Sequence, residues 1–163
     1  MARTFHSGRF IPKNPGKYIG DPSKIFYRSS WELSFMRWLD TNNAVLRYAS
    51  EELAIPYVNP LKLDANGRPK ISQYYPDFLV LYRDVNGNLH REIIEIKPHS
   101  QSVAKAKMSD RDHQALIVND AKWKAADIYA KKNGAEFKVL TEKSLYFQGK
   151  TPAKKKKAVG TAV

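Results

Sequence analysis

Hydrophobic residues recur every three or four positions in two segments of the chain, which is the spacing of one face of a helix. The first segment predicts a helix that begins after the N-cap residue Ser29 and runs to about Thr41. The second predicts a helix from Asp110 to Lys132 that stops at Asn133-Gly134. The residues that define the two apolar stripes are Trp31, Phe35, Met36, Trp38 and Leu39 in the first segment and Ile117, Ala121, Ala125 and Ile128 in the second.

Short runs of aliphatic and aromatic residues between these helices are typical of strands. Residues 44–58 predict one long bent strand or two short ones, and Pro56 favours an edge or a bend within them. Residues 59–73 are mostly polar and contain Asn, Gly and Pro, so they predict a loop.

A β-hairpin follows this loop. Tyr74 to Tyr82 and His90 to Lys97 predict two strands, and Asn86-Gly87 between them is a strong turn signal. Glu136 to Leu140 predicts a last strand after the second helix. The order of helix, strands, helix and strand predicts a mixed sheet with helices packed on it, in the α/β or α+β range.

Composition and charge divide the chain into a body and two basic ends. The 163 residues are 42% hydrophobic, enough for the core of one domain. Residues 1–24 carry a net charge of +4 and residues 149–163 one of +5, within a total of +12. We therefore predict a basic extended arm without helix (1–24), a folded domain (25–148) and a flexible lysine-rich tail (149–163).

The charge distribution and the absence of some residue types restrict the functional classes. Basic ends suit a polyanion, above all a nucleic acid, although they would also fit solvated tails that only keep the protein soluble. The chain has no cysteine, which excludes disulfide scaffolds, thiolate zinc sites and cysteine nucleophiles. No stretch reaches the roughly 18 apolar residues of a membrane span, so we expect neither insertion in a membrane nor secretion.

Candidate chemistry lies in the predicted hairpin. Glu95 and Lys97 are two residues apart and so share one face of a strand, while Asp77 lies in the partner strand within an apolar run. A charged residue in such a run is costly unless it is paired or binds a metal ion. Two carboxylates that meet across the strands, with a nearby amine, would suit Mg²⁺ and the hydrolysis of a phosphodiester. A simple cross-strand salt bridge to Lys97 is the alternative.

Pro76-Asp77 and Glu95-Ile96-Lys97 resemble the signature of the PD-(D/E)xK nuclease superfamily. The resemblance implies a restriction-endonuclease-like α/β fold in which Asp77 and Glu95 bind the metal ion and Lys97 is the catalytic lysine. Several members carry a further metal-binding Glu on a helix before the sheet, and Glu32 is the matching position. Ser29-x-x-Glu32 also fits a capping box, in which Glu32 would only satisfy a backbone amide.

A longer series of motifs resembles the head completion nucleases of large tailed bacteriophages over about residues 15–140. The resemblance implies a Mg²⁺-dependent endonuclease, with Mn²⁺ as a substitute, that acts on DNA in virion assembly around the end of packaging. Endonuclease subunits of heteromeric transposases and phage junction resolvases have similar sets of motifs. The motifs are Lys17-Tyr18-Ile19-Gly20-Asp21-Pro22, Tyr27-Arg28-Ser29-Ser30-Trp31-Glu32, Ser50-Glu51-Glu52, Ile55-Pro56-Tyr57, Tyr75-Pro76-Asp77-Phe78 and Glu95-Ile96-Lys97-Pro98.

The expected partners follow from this resemblance. DNA is the expected substrate, and Arg28, Lys105 and Lys107 are candidate phosphate contacts. Phage head or portal proteins are further candidate partners, and the expected location is the cytoplasm of the infected bacterial host or the virion. The competing interpretation is a DNA- or capsid-binding head protein without enzymatic activity, and the oligomeric state stays open. Glu51 and Glu52 are interpreted as surface acids in preference to neighbours of the site.

Overall fold

The computed structural model describes residues 7–98, 107–141 and 143–144. Within these ranges the chain forms short and long strands, two 3₁₀ turns at Pro15–Lys17 and Pro22–Lys24, and two long helices. The helices are α1 (Ser30–Thr41) and α2 (Asp110–Lys132). The strands are β1 (Gly8–Arg9), β2 (Phe26–Tyr27), β3 (Val45–Ser50), β4 (Ile55–Leu63), β5 (Pro69–Tyr74), β6 (Phe78–Arg83), β7 (Leu89–Ile96) and β8 (Glu136–Leu140).

The central sheet has four strands in the order β3-β6-β7-β8. The β3–β6 and β6–β7 pairs are antiparallel, and β8 is parallel to β7. Helix α2 lies between β7 and β8 in the chain, as a crossover between neighbouring parallel strands requires. Strands β4 and β5 form a separate two-stranded hairpin that packs against α2. The predicted mixed sheet with two helices is therefore confirmed.

The two helices cover opposite faces of the sheet. Phe78, Val80 and Ile94 point to one face and pack in a core with buried residues of α1. Ile93 points to the other face and packs with residues of the β4–β5 hairpin and of α2, including Ala126 and Ala130. This alternation along β7 places Glu95, two residues after Ile93, on the α2 face.

Residues 7–24, the described part of the predicted arm, lie against α1. The backbone N–H groups of Lys13 and Asn14 donate to the buried carboxylate of Asp40 at 2.8 and 3.3 Å. The Lys17 ammonium donates to the carbonyls of Leu39, Asp40 and Asn42 at 2.8–3.0 Å. A cation at this position satisfies carbonyls that the helix end leaves unpaired and complements its dipole. The expectation that this segment has no helix holds except for the two 3₁₀ turns.

Two turns of the same sequence pattern form the two hairpins. In the β6–β7 turn, the Asp84 carboxylate accepts from the N–H groups of Asn86 and Asn88 at 2.9 Å, and Gly87 has a φ of 83°. In the β4–β5 turn, Asp64 accepts from Asn66 and Arg68 at 2.8 and 3.0 Å, and Gly67 has a φ of 74°. Both turns have the pattern Asp-x-Asn-Gly-x, and glycine tolerates the left-handed backbone that they require.

Three predictions about these elements need correction. Residues 59–73 are not a loop, since β4 runs to Leu63 and β5 starts at Pro69. The predicted strand Tyr74 to Tyr82 is interrupted, because Tyr74 ends β5 and β6 begins at Phe78. The α2 stripe is wrong in two of its four residues: Ala121 and Ala125 pack against the core, whereas Ile117 and Ile128 are 46% and 55% exposed. The small residues Ala126 and Ala130 are buried instead and let the helix approach the sheet closely.

Other predictions concern residues outside the described ranges. Lys105 and the lysine-rich tail 149–163 fall there, so their predicted roles remain predictions. Among the described residues, no helix has the length and apolar character needed to cross a bilayer.

Candidate active site

The candidate site lies on the α2 face of the sheet, where β5 and β7 end and β6 begins. The β6–β7 ladder begins with Phe78 opposite Ile94, so the residue before Phe78 lies opposite the residue after Ile94. These two residues are Asp77 and Glu95, which therefore share one face as neighbouring partners across the strands. With Tyr74 and Tyr75 from the end of β5 they line an open cleft of about 460 Å³. The predicted meeting of the two carboxylates is thus present in the structure.

Each carboxylate is held by a hydrogen bond. Asp77 Oδ2 accepts from the backbone N–H of Ile96 at 2.7 Å, which ties the start of β6 to the end of β7. Glu95 Oε2 accepts from the hydroxyl of Tyr74 at 2.6 Å, and both of these residues are buried. Each carboxylate therefore keeps a second oxygen available to a ligand that enters the cleft.

Burial and like charge make Asp77 an unusual carboxyl group. Burial raises its pKa from 3.8 to about 7, and the charges of Glu95 and Glu32 add to the effect. The hydrogen bond from Ile96 and the charge of Lys97 oppose this rise of the pKa. Burial raises the pKa of the Tyr74 hydroxyl as well, and the neighbouring Glu95 contributes in the same direction. Tyr74 therefore acts as a neutral hydrogen-bond donor in this cleft.

Lys97 lies on the same face as Glu95. Its ammonium is 3.5 Å from Glu95 Oε1, and its side chain is 26% exposed. The backbone N–H of Lys97 donates to the carbonyl of Leu140 at 2.8 Å, which extends the β7–β8 pairing by one residue. The predicted acid and amine are therefore adjacent, and the amine is partly exposed to solvent.

Glu32 lies in the first turn of α1, where Ser29 Oγ caps the helix by accepting from the Glu32 N–H at 3.1 Å. Its carboxylate accepts from the backbone N–H of Arg28 at 2.9 Å. A capping box would use the N–H of Ser29, the next residue. Burial raises the pKa of Glu32, with contributions from the charges of Glu51 and Glu95. Glu32 thus has a capping role, and its charge acts on the other carboxylates.

Two residues at the rim of the cleft were assigned separate roles from the sequence. The guanidinium of Arg28, a predicted phosphate contact, forms an ion pair with Glu51 at 2.9 Å, and both side chains line the cleft. Glu51 has a φ of 54° and donates its backbone N–H to the carbonyl of Asp77 at 3.1 Å. Its interpretation as a surface acid is therefore wrong. Glu52 is exposed and accepts from the Tyr18 hydroxyl at 3.0 Å.

Sequence reasoning missed two further residues of the cleft. Tyr74 was assigned to a strand without a role, although a tyrosine three residues before the aspartate is a visible candidate for a hydrogen bond. Lys122 extends from α2 into the cleft and gave no signal, because it is one of many lysines in a helical pattern. Only the fold brings α2 beside the ends of β5 and β7.

The donor set suits a hard divalent cation. Among the described residues, no three His, Asp or Glu side chains are grouped closely enough to form a metal site by themselves. The predicted set of Glu32, Asp77 and Glu95 is therefore not assembled as three ready ligands. Mg²⁺ is commonly held by one or two carboxylates, with water and phosphate oxygens in the other positions, and Asp77 and Glu95 fit that arrangement.

The predicted phosphate contacts other than Arg28 lie farther along the chain. Lys107 is exposed, three residues before the start of α2, and does not line the cleft. The two histidines in the rest of the described chain lie apart from the cleft: His90 pairs with Asp84 at 2.7 Å, and His113 is exposed on α2.

Comparison with known proteins gives two matches. Residues 42–142 match the family described as TnsA-like endonuclease N terminal. The chain is also 37% identical over 151 residues to the head completion nuclease of Enterobacteria phage T4, a match that covers 86% of this chain and 93% of that protein. The first match contains Asp77, Glu95 and Lys97 but not Glu32.

Proposed function

The chain belongs to the TnsA-like endonuclease family, and we propose that it is a Mg²⁺-dependent endonuclease that hydrolyses phosphodiester bonds in DNA. The mixed sheet flanked by two helices is the restriction-endonuclease-like architecture of that family. The observation that carries the proposal is the paired placement of Asp77 and Glu95 in an open cleft, with the Lys97 ammonium 3.5 Å from Glu95.

Asp77 and Glu95 are the proposed metal ligands. When bound, a divalent cation activates a water molecule and polarises the phosphate that is attacked. The two carboxylates would hold the cation at the strand ends, and its positive charge would favour the ionised form of Asp77, whose pKa is raised by burial and by the charges of Glu95 and Glu32. Tyr74 donates a 2.6 Å hydrogen bond to Glu95 Oε2 and so fixes the orientation of the Glu95 carboxylate.

Lys97 and Glu32 are proposed to act on water and protons. The Lys97 ammonium can donate a hydrogen bond to the attacking water and offset negative charge on the phosphate. Glu32 can complete the coordination through water or accept a proton, since its carboxylate is half-buried and its pKa is raised. Arg28 is proposed to exchange its ion pair with Glu51 for a DNA phosphate, and Lys105 and Lys107 remain proposed phosphate contacts.

The biological role is proposed from the phage relative. The relative is named for head completion, and its match covers nearly the whole of both chains. We therefore assign this chain to virion assembly in the infected cell, with DNA as substrate and phage head proteins as partners. The test is complementation: phage that lack the chain should assemble defective heads, and only the catalytically intact chain should restore them.

Plasmid cleavage tests the chemistry. The intact protein should convert supercoiled plasmid to nicked or linear forms with Mg²⁺ or Mn²⁺, and EDTA should abolish the conversion. We expect Asp77→Asn and Lys97→Met to lower the rate by more than about a hundredfold. Asp127→Asn and Lys124→Met, which change exposed residues of α2 in the same way, should leave the rate unchanged.

Calorimetric titration with MgCl₂ and MnCl₂ tests the ligand set without cleavage. Asp77→Asn and Glu95→Gln should each weaken binding by at least about tenfold, while Asp127→Asn should not change it. Intact, folded protein that cleaves no supercoiled, branched or single-stranded DNA with either metal ion would favour the DNA- or capsid-binding protein instead.

A further inference from the structure

A basic groove lies between α2 and β4, next to the cleft that contains Asp77 and Glu95. It has a volume of about 450 Å³ and is open along its length. Three of its lining residues are the cations Lys62, Arg111 and Lys122, and the others are amides or apolar residues. Within the described part of the chain, no Asp or Glu lines this α2–β4 groove.

Lys122 connects the α2–β4 groove to the cleft, because its side chain lines both. Its ammonium lies over the rings of Tyr57 and Tyr74, at 5.8 and 5.6 Å from their centroids. Tyr74 in turn donates to Glu95. A polymer whose reacting phosphate lay at Asp77 and Glu95 would therefore pass Lys122 and continue into the groove.

The cations of the groove differ from those on the outer face of α2. On the outer face, Lys124 pairs with Asp120 and Lys131 with Asp127, each at 2.8 Å. Among the described residues, Lys62, Arg111 and Lys122 form no ion pair. Cations without carboxylate partners attract a polyanion more strongly, because no local negative charge has to be displaced first.

The length of the groove suits a run of phosphates. Arg111 and Lys122 are eleven residues apart on α2, so their Cα atoms are separated by about 16 Å along the helix axis. One strand of B-DNA carries a phosphate about every 3.4 Å along its axis, so this distance corresponds to about five nucleotides. The groove can therefore contact the DNA backbone for several nucleotides beyond the reacting phosphate.

We propose that the α2–β4 groove binds the phosphate backbone of the DNA on one side of the cleaved bond, through Lys62, Arg111 and Lys122. The inference rests on the proposed nuclease function, since it takes the direction of the DNA from the position of Asp77 and Glu95. An acidic polypeptide would satisfy the same charges, but it would have no reason to continue into a cleft that contains buried carboxylates.

Salt-dependent binding tests the groove separately from cleavage. The protein with Asp77→Asn is titrated with a fluorescein-labelled 30-base-pair duplex in EDTA at several KCl concentrations. Adding Lys62→Gln, Arg111→Gln and Lys122→Gln should reduce the slope of log K against log salt by about 2 to 3, because each lost phosphate contact removes about 0.9. Affinity in 0.1 M KCl should fall by at least about tenfold.

The matched control changes three exposed lysines of α2 away from the groove. Lys124→Gln, Lys131→Gln and Lys132→Gln remove the same charge, and the slope should change by less than about 1. An equal loss in both triple variants would show a general charge effect and overturn the inference, as would an unchanged slope in the groove variant. Circular dichroism melts of both variants verify that they are folded.

Two comparisons separate failure of the groove from failure of the proposed function. If the intact protein does not cleave DNA but the groove variant loses duplex binding selectively, the nuclease proposal fails and the groove stands. If the intact protein cleaves and the groove variant binds normally, only the groove fails. Tighter binding of polyglutamate than of the duplex, lost in the groove variant, would also overturn the assignment to DNA.

Discussion

Replacing Asp77 by asparagine removes one of two carboxylates that the fold places side by side, and we expect this change to alter how stability depends on pH. Burial and the charges of Glu95 and Glu32 raise the pKa of Asp77 to about 7 in the folded protein, against 3.8 when the chain is unfolded. Between these pH values the folded protein holds a proton that the unfolded chain has lost. Stability must therefore decrease as pH rises through this window.

The size of the effect follows from the same values. Each pH unit inside the window lowers the free energy of unfolding by about 1.4 kcal/mol, so the interval from pH 5 to pH 7 amounts to about 2 to 3 kcal/mol. Asparagine cannot titrate, and its carbonyl can still accept from the Ile96 N–H. The variant should therefore lack this decrease and be more stable than the unmodified protein at pH 8, at the expense of activity.

Urea unfolding in EDTA at pH 5 and pH 8 measures the effect. From pH 5 to pH 8 the free energy of unfolding should fall by about 2 kcal/mol less for Asp77→Asn than for the unmodified protein. Asp127→Asn, in an exposed ion pair with Lys131, controls for loss of a carboxylate and should follow the unmodified protein. If the free energy of unfolding depended on pH equally in all three proteins, the inference that folding raises the pKa of Asp77 would be refuted. Added Mg²⁺ should stabilise the unmodified protein at pH 8 and leave Asp77→Asn nearly unchanged.

Three other substitutions have definite expected outcomes. Tyr74→Phe removes the 2.6 Å hydrogen bond to Glu95 and should lower single-turnover cleavage about tenfold while the protein stays folded. Asp40→Asn keeps one oxygen as an acceptor for Lys13 and Asn14 but replaces the other by an amide nitrogen, and it should cost about 1 to 3 kcal/mol in urea unfolding. Gly134→Ala forces a side chain onto a backbone with a φ of 65° and should cost about 1 kcal/mol.

Each of these variants has a matched control. Tyr75→Phe changes an exposed tyrosine of the same cleft and should retain full activity. Asp120→Asn changes an exposed carboxylate and should cost less than about 1 kcal/mol. Gly16→Ala adds a Cβ to a glycine outside the left-handed region, with no atom within 4 Å, and should leave stability unchanged. If a control variant had a larger effect than the variant it is matched to, the role assigned to the corresponding contact would be contradicted.

The central hairpin was predictable because its signals are local. Asn86-Gly87 fixes the turn, and the turn fixes the register, which runs from Arg83 opposite Leu89 to Phe78 opposite Ile94. Asp77 lies six residues before Arg83, and Glu95 lies six residues after Leu89. The pairing of the two carboxylates therefore follows from the position of one turn.

The second hairpin was missed although it carries the same turn signal. Asn66-Gly67 lies in a segment whose side chains are almost all exposed, so no buried face indicated strands. Val58 and Ile71 lie opposite each other across the hairpin, and both are more than half exposed. In β4, Ile55, Tyr57 and Asn59 alternate as buried residues, and their partner is α2, far along the chain. This alternation covers only the first half of β4, and the rest of the hairpin is exposed and has the polar composition of a loop.

Glu51 was misassigned for a different physical reason. Its place at the cleft depends on a left-handed backbone, which glutamate rarely adopts and which its sequence context does not signal. The conformation turns the chain out of β3, and the hydrogen bond to the Asp77 carbonyl and the ion pair with Arg28 help to offset its cost. Such a residue is identified by tertiary contacts and not by pattern.

The end of the β6–β7 ladder explains why a buried carboxylate is tolerated at Asp77. Within the ladder every backbone N–H that faces the partner strand is used by that strand, so a carboxylate there needs a side-chain donor, as Glu92 has in Tyr82 and Lys138. The last pair of the ladder is Phe78 and Ile94, which leaves the Ile96 N–H on the β6 side without a strand carbonyl, while the Lys97 N–H bonds Leu140 on the β8 side. Asp77 Oδ2 accepts a hydrogen bond from that N–H at 2.7 Å. A buried acid next to a second acid is thus held by a backbone donor one residue before the strand, whereas inside a strand it depends on a side-chain donor, as Glu95 depends on Tyr74.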